Sequence, residues 1–251
     1  MGPHTLLIDY IRTLLSFTML GYAAYQDLKT REIHDIVWII PGTIGLILNI
    51  FELYTGSLSL RGAIISIGFM VILSGILWLL RLFGEADLLA FLALSIIHPR
   101  TPAFGFRGNT PILFSFTLIA NSAIAGILTA LYTILVNLFE YLKDRSLFDR
   151  YNASFFKKMV IMFSGKHISI ESLKGPPFEY PLEINGELIV KPNLFDDDAA
   201  NRVFKNLKEK GIESFWVSAT LPYIVILFVG YLISTFYGDV MFSVMNLLMS
   251  G

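Results

Sequence analysis

Apolar runs of membrane-spanning length recur along this chain, and they limit what it can fold into before any single residue is weighed. A helix needs roughly 20 predominantly apolar residues to cross the hydrocarbon core of a bilayer. Runs of about that length lie at 6–25, 36–54 and 62–82, within 111–142, and at 219–237. A sixth run, 87–97, stops after 11 residues at His98-Pro99. The 251 residues are 55% hydrophobic and 16% charged, against about 25% charged in an ordinary soluble domain. The pattern predicts an α-helical polytopic membrane protein with six transmembrane helices. The shortness of the fourth implies either a thinned bilayer or a helix that starts inside a wet, protein-lined cavity. Pro41-Gly42 is expected to kink the second span, and both residue types are tolerated in membrane helices. Gly68, Ser74 and Gly75 in the third are small enough for close helix packing.

Residues 143–214 differ in kind. They are polar and mixed in charge, and they read as a small α+β soluble insert between helices five and six. The division expected is therefore 1–142 for helices one to five, 143–214 for the insert, and 215–251 for helix six and a C-terminal tail. Asn185-Gly186 between alternating arms is a strong hairpin signal. Asp196-Asp197-Asp198 marks a helix start, with Lys205, Lys208 and Lys210 toward its end and Gly211 as its stop. Phe215-Trp216-Val217 reads as a further strand or as the approach to the membrane, and 240–249 as an interfacial or extended tail. Basic residues mark both flanks of the insert: Lys143, Arg145, Arg150, Lys157 and Lys158 follow span five, and Arg202, Lys205, Lys208 and Lys210 precede span six. Such residues near span ends mark the cytoplasmic side. Counting back through six spans puts Asp27 and Asp87 at the cytoplasmic face of the cell membrane.

Those two carboxylates are the candidate working groups. An ionisable residue in a membrane segment is costly and is more often functional than decorative. Asp27 follows the first apolar run, and Asp87 closes Gly84-Glu85-Ala86-Asp87 at the mouth of the fourth. Other chemistries are poorly supplied. The chain has no cysteine, which excludes thiolate catalysis and cysteine zinc sites. Its four histidines lack zincin spacing, so no metal and no cofactor are expected. The net charge of -1 leaves no basic face for nucleic acid. Two nearby carboxylates do not both ionise readily, so one keeps a proton and the pair titrates as a unit. The ionised member can then draw a proton from water while the other polarises a peptide carbonyl.

Plainer roles stand beside this. Asp87 is well placed to cap a helix, and Asp27 to sit at the interface near Lys29 and Arg31. Asp35 competes with Asp27, whereas Asp9 and Asp239 belong to the opposite face. Asp9 and Arg12 are spaced to pair on one helix face. A second class of function, a small ion-coupled transporter using the two aspartates as cation sites, lacks an internal repeat to support it. A third, a non-enzymatic scaffold, would make both aspartates simple caps.

Three stretches resemble the GxGD membrane aspartyl proteases, most closely the archaeal preflagellin peptidases, relatives of the type IV prepilin peptidases. They are Tyr25-Gln-Asp27 through His34-Asp35, Gly84-Glu85-Ala86-Asp87, and Leu207 to Ile212 continuing through Trp216 to Leu221-Pro222-Tyr223. The resemblance implies an aspartic endopeptidase that removes the short basic leader of a preflagellin-like precursor at the cytoplasmic membrane face. It carries catalytic roles onto Asp27 and Asp87. Gly84, Glu85 and Ala86 become the motif residues along which substrate approaches, and Glu32, Asp35 and Glu85 would attract the basic leader by charge. Ala86 stands where the signature has glycine, which narrows backbone freedom there. Some bacterial relatives add a cysteine zinc module and methyltransferase activity; neither is expected here.

Overall fold

A computed structural model describes residues 3–102, 113–194, 196–219 and 221–249. The chain divides into two compact units. One comprises Met1–Gly126 with Pro222–Gly251, and the other Ile127–Leu221.

The first unit is helical. It contains α1 (Pro3–Lys29), α2 (Ile36–Tyr54), α3 (Leu60–Leu79), α4 (Glu85–Ile97), the first part of α5 (Phe114–Lys143), α8 (Tyr223–Phe236) and α9 (Val240–Met249). Its surface is turned inside out relative to a soluble domain. Ile39, Ile47, Ile50, Ile64, Ile72 and Trp78 are exposed, whereas Asp9, Arg12, Glu52, Asn121 and Asp239 are buried. That is what hydrocarbon around the helices selects, because polar groups there must face protein partners. Among the described residues, α2, α3 and α5 are each long and apolar enough to cross a membrane, and a fourth span results if α8 and α9 count as one segment bent by 54°. The tail expected after Gly238 is therefore helical. α2 runs from Ile36 to Tyr54 with Pro41 inside it.

α4 is the inner helix of this unit. It packs against α1, α2, α3 and α8, and Leu88, Ala90, Phe91, Ala93, Leu94, Ser95 and Ile97 are all buried. At 1.5 Å per residue its 13 residues reach about 20 Å, short of the roughly 30 Å hydrocarbon thickness. A short helix is tolerable because it is caged by protein at both ends. α2 meets it through a single stripe, Trp38, Gly42, Gly45, Asn49 and Glu52, the buried residues of that helix. At Gly45 the approach is so close that a Cβ would sit 2.9 Å from Ile97 Cα. Only a residue without a side chain fits there.

The break between α8 and α9 is pinned by Asn121 of α5. Its amide donates to Ser234 Oγ at 2.9 Å and to the Gly238 carbonyl at 2.7 Å, and its oxygen accepts from Val240 N at 3.1 Å. Asp239 caps α9 by accepting from Phe242 N at 2.7 Å. The backbone groups freed by the bend thus find protein partners, as hydrocarbon requires. Pro99, Pro102, Gly105 and Gly108 read from the sequence as a turn-rich loop, which is described as far as Pro102; Gly105 and Gly108 lie outside the described residues.

The second unit holds the rest of α5, a 3-10 turn at Arg145–Phe148, α6 (Phe155–Ser164), β1 (Gly165–Ser169), β2 (Glu179–Pro181), β3 (Glu183–Ile184), β4 (Glu187–Leu188), α7 (Asp197–Glu209) and β5 (Ser214–Ala219). β5 is the middle of an antiparallel sheet in the order β1-β5-β2, so the apolar triplet at 215–217 is a strand. β3 and β4 form the hairpin expected at Asn185-Gly186, whose positive φ values of 52° and 83° are those of a tight hairpin turn. α7 begins at Asp196, whose side chain accepts from Ala199 N, and gives way to Gly211 at φ 68°. Burial pushes the Tyr151 phenol up as it donates to Glu183 at 2.6 Å, and burial with the nearby Asp197 raises Tyr180 to about 12. The His167 imidazole, packed on Trp216, is lowered by burial and by the charge of Arg150.

Candidate active site

Asp27 lies in the last turn of α1 and Asp87 in the first turn of α4. Two neighbouring residues at the start of α8 link their surroundings. The Ile224 amide donates to Asp27 Oδ2 at 3.2 Å. The Tyr223 ring packs edge-on against Phe83, with centroids 4.6 Å apart, and against Phe91 of α4 at 6.0 Å. Three helix ends therefore converge here: the last turn of α1 and the first turns of α4 and α8.

The two carboxylates are held differently. Asp27 is buried, and Oδ1 accepts from Arg31 Nη1 at 3.1 Å across one helical turn, at the point where Arg31 takes the left-handed conformation that ends α1. Asp87 is half-buried, and its Oδ2 accepts from the Gly84 amide at 3.1 Å. A carboxylate at the third helical position that caps the N-terminal amides in this way locks the entry geometry of the helix. Capping and a chemical role are compatible, because this bond occupies one oxygen. Glu85 and Gly84 are exposed, and Asp35 is exposed ahead of α2 without a side-chain capping bond.

Ala86 sits in the helix, one residue before Asp87, and packs partly against the apolar core. It is not among the residues with positive φ, so the freedom a glycine would supply is not used in this conformation. An apolar groove of about 250 Å³ opens between α2 and α4, lined by residues including Trp38, Gly42, Leu46, Leu89, Leu92 and Ile96. It begins two residues beyond Asp87.

A second polar cluster occupies the other end of the same helices. Arg12 Nη2 pairs with Glu52 Oε2 at 2.6 Å, and Arg12 also donates to the Ile97 carbonyl. Arg100 bridges Glu52 and Asp9 at 2.8 Å each. Asn49 donates to the Ile96 carbonyl at 2.8 Å, and His98 Nε2 lies within hydrogen-bonding distance of Ser16 Oγ at 3.0 Å and Tyr231 Oη at 3.2 Å. The last carbonyls of α4, which no helical amide can reach, are thus met by side chains. Glu52 to Arg61 reads from the sequence as a short polar link after the second span, but Glu52 is fully buried in the last turn of α2. The i, i+4, i+7 run of Gly45, Asn49 and Glu52 was the available signal. The ion partners of Asp9 and Arg12 from other elements, Arg100 and Glu52, and the amide that binds Asp27 had none. Among the described residues no three histidine, cysteine, aspartate or glutamate side chains gather as a metal site would need.

Two family models match the chain: the type IV leader peptidase family over residues 14–137, and the archaeal peptidase A24 C-terminus, type II, over 157–240. Among curated proteins the chain is similar to the preflagellin peptidase of Methanococcus voltae, 26% identical over 238 residues that take in 88% of this chain and 93% of that one. It is also similar to the preflagellin peptidases of Methanocaldococcus jannaschii, at 24% identity covering 86% and 89%, and of Methanococcus maripaludis, at 26% covering 93% and 96%.

Proposed function

We propose, from the match to the type IV leader peptidase family over residues 14–137 and to the archaeal peptidase A24 C-terminus over 157–240, that the chain is a membrane aspartyl endopeptidase of that family that removes the leader peptide of preflagellin-like precursors. Asp27 and Asp87 are its catalytic pair. The observation that supports this reading is the start of α8, where the Ile224 amide binds Asp27 and the neighbouring Tyr223 ring packs on Phe83 and Phe91 beside Asp87. The family match makes peptide hydrolysis the reaction, and a carboxylate pair supplies it without a metal or a thiol.

In the scheme we propose, one of the two carboxyls carries a proton and hydrogen-bonds the scissile carbonyl. The other takes a proton from water as the oxygen attacks the carbonyl carbon. Collapse of the tetrahedral intermediate breaks the C–N bond, and the leaving amine takes up a proton from the pair. Gly84, Glu85 and Ala86 flank the path to the bond, and the acidic Glu32, Asp35 and Glu85 favour a basic leader. The groove between α2 and α4 would seat the apolar segment that follows the cut.

The reading includes six spans, with α1 and the short α4 crossing alongside α2, α3, α5 and α8, and an insert at 143–214 on the cytoplasmic side. The active face is then cytoplasmic. Its test is cleavage of a preflagellin-like precursor by membranes holding the wild type, Asp27→Asn or Asp87→Asn at matched expression. Each variant is expected to lose roughly 10²- to 10⁴-fold in rate, the usual worth of a general acid or base. Wild-type cleavage by either variant would end the dyad reading.

A further inference from the structure

α6 carries an exposed apolar stripe that nothing in its own unit covers. Phe155 is 78% exposed, Phe156 74%, Phe163 51% and Met159 41%. At 100° per residue these four positions fall within an arc of about 100°, the width of an amphipathic face. The opposite side of the helix is engaged with protein: Ile161 is fully buried in the cluster around Trp216 and Leu182. Three phenylalanines and a methionine facing water would be a strong liability in a soluble domain. Helices of this composition, with basic residues on their flanks, lie in the plane of a membrane interface.

The surroundings within the same unit name the occupant. α6 meets α5 near Asn137, which donates to the Met162 carbonyl at 2.8 Å and to the Gly165 carbonyl at 2.7 Å. α5 is itself one of the helices long and apolar enough to cross a membrane. Its lipid-compatible surface continues past that point, with Leu138, Phe139 and Leu142 exposed. The 30 residues of α5 amount to about 45 Å, longer than the hydrocarbon core, so its last turns lie at the headgroup level. Between 143 and 158 the chain carries Lys143, Arg145, Arg150, Lys157 and Lys158 against Asp144 and Asp149. Basic residues at that level attract anionic lipid, and Lys157 and Lys158 are half-buried with stems long enough to snorkel.

We propose that α6 is an interfacial membrane anchor, its Phe155-Phe156-Met159-Phe163 stripe set among acyl chains and its lysines among anionic headgroups. The anchor ties the inserted unit to the bilayer surface at a second point besides α5.

The absence of cysteine from the chain makes a direct test clean. Single nitroxide labels at F156C and F163C, in the full-length protein reconstituted into vesicles containing an anionic lipid, are compared with a label at K205C, on an exposed position of α7. Collision rates with oxygen, which concentrates in lipid, and with a water-soluble nickel chelate are read for each. The oxygen-to-nickel ratio at the two α6 sites is expected to exceed that on α7 by about an order of magnitude, as for side chains held below the headgroups. A nickel accessibility equal to that on α7 would show a water-facing helix and overturn the proposal. Low accessibility to both reagents would overturn it in favour of a protein partner such as a second copy of the chain. None of these readings depends on peptidase activity.

Discussion

The two ends of the helical unit both gather carboxylates, and they treat them in opposite ways. At one end, among the described residues, the acids Asp9 and Glu52 pair with the bases Arg12 and Arg100, and Glu52, Arg12 and Asp9 are almost wholly removed from solvent. At the other end Asp27 has one arginine and one backbone amide, and the cap bond of Asp87 comes from a backbone amide. A buried ion network whose charges balance is stable but chemically spent, and breaking it leaves an uncompensated charge. At the helix mouth the bonds to Asp87 and Asp27 come mostly from backbone amides, so the pair is less completely neutralised. The comparison teaches that an acidic residue in a membrane segment signals function or structure according to how completely its partners neutralise it.

The sharpest way to break this comparison is to remove one charge from each end. Asp27→Asn and Asp87→Asn should abolish cleavage while leaving a folded protein, and Glu52→Gln should act first on the fold. Loss of Glu52 strands Arg12 and should cost about 3–5 kcal/mol, seen as a collapse in thermal stability in detergent. An unchanged melting temperature for Glu52→Gln would show that the far cluster is not structural.

A smaller effect is expected from Gly45→Ala. Its new Cβ would press on the backbone of Ile97, and relieving it by shifting α4 should cost about 1–3 kcal/mol. Because α4 carries Asp87 at its other end, cleavage should fall along with stability. A stable variant with full activity would mean that the position of α4 is not set from that end.

Ala86→Gly tests the mouth from the opposite direction. Restoring the signature glycine should destabilise the first turn of α4 by about 0.5–1 kcal/mol and leave cleavage close to wild type. A large gain in rate would show that backbone freedom at this position limits the reaction.

The smallest effect lies in the inserted unit. The folded state holds the His167 proton less tightly than the ordinary value of 6.5, so the unfolded chain takes up the proton first as pH falls. Stability contributed by the neutral imidazole is therefore full above that value and declines below it. His167→Gln should flatten the stability profile of the whole protein below pH 6.5, measured by denaturant titration; an unaltered profile would place the acid sensitivity elsewhere.

Much of this architecture was legible because hydrocarbon is a demanding solvent. The apolar runs at 36–54 and 87–97, the Asn185-Gly186 hairpin and the helix launched by Asp196 follow from run length, turn chemistry and capping, all of which act between near neighbours. The stripe on α6 was hidden inside a segment read as polar, since four apolar side chains among lysines and serines do not raise the average. Glu52 was misplaced in a linker because its charge outweighed its position on the buried stripe of α2.

Local spacing by itself determined that apolar helices would form and that two aspartates would stand at helix ends. Only the tertiary structure decided which carboxylates are neutralised. The partner of Glu52 is 40 residues away, that of Asp9 is 91, and the amide on Asp27 is 197. Short-range preferences set which backbone bonds form, but the pairing of charges across helices depends on how whole helices pack, and no pattern within a single helix records it.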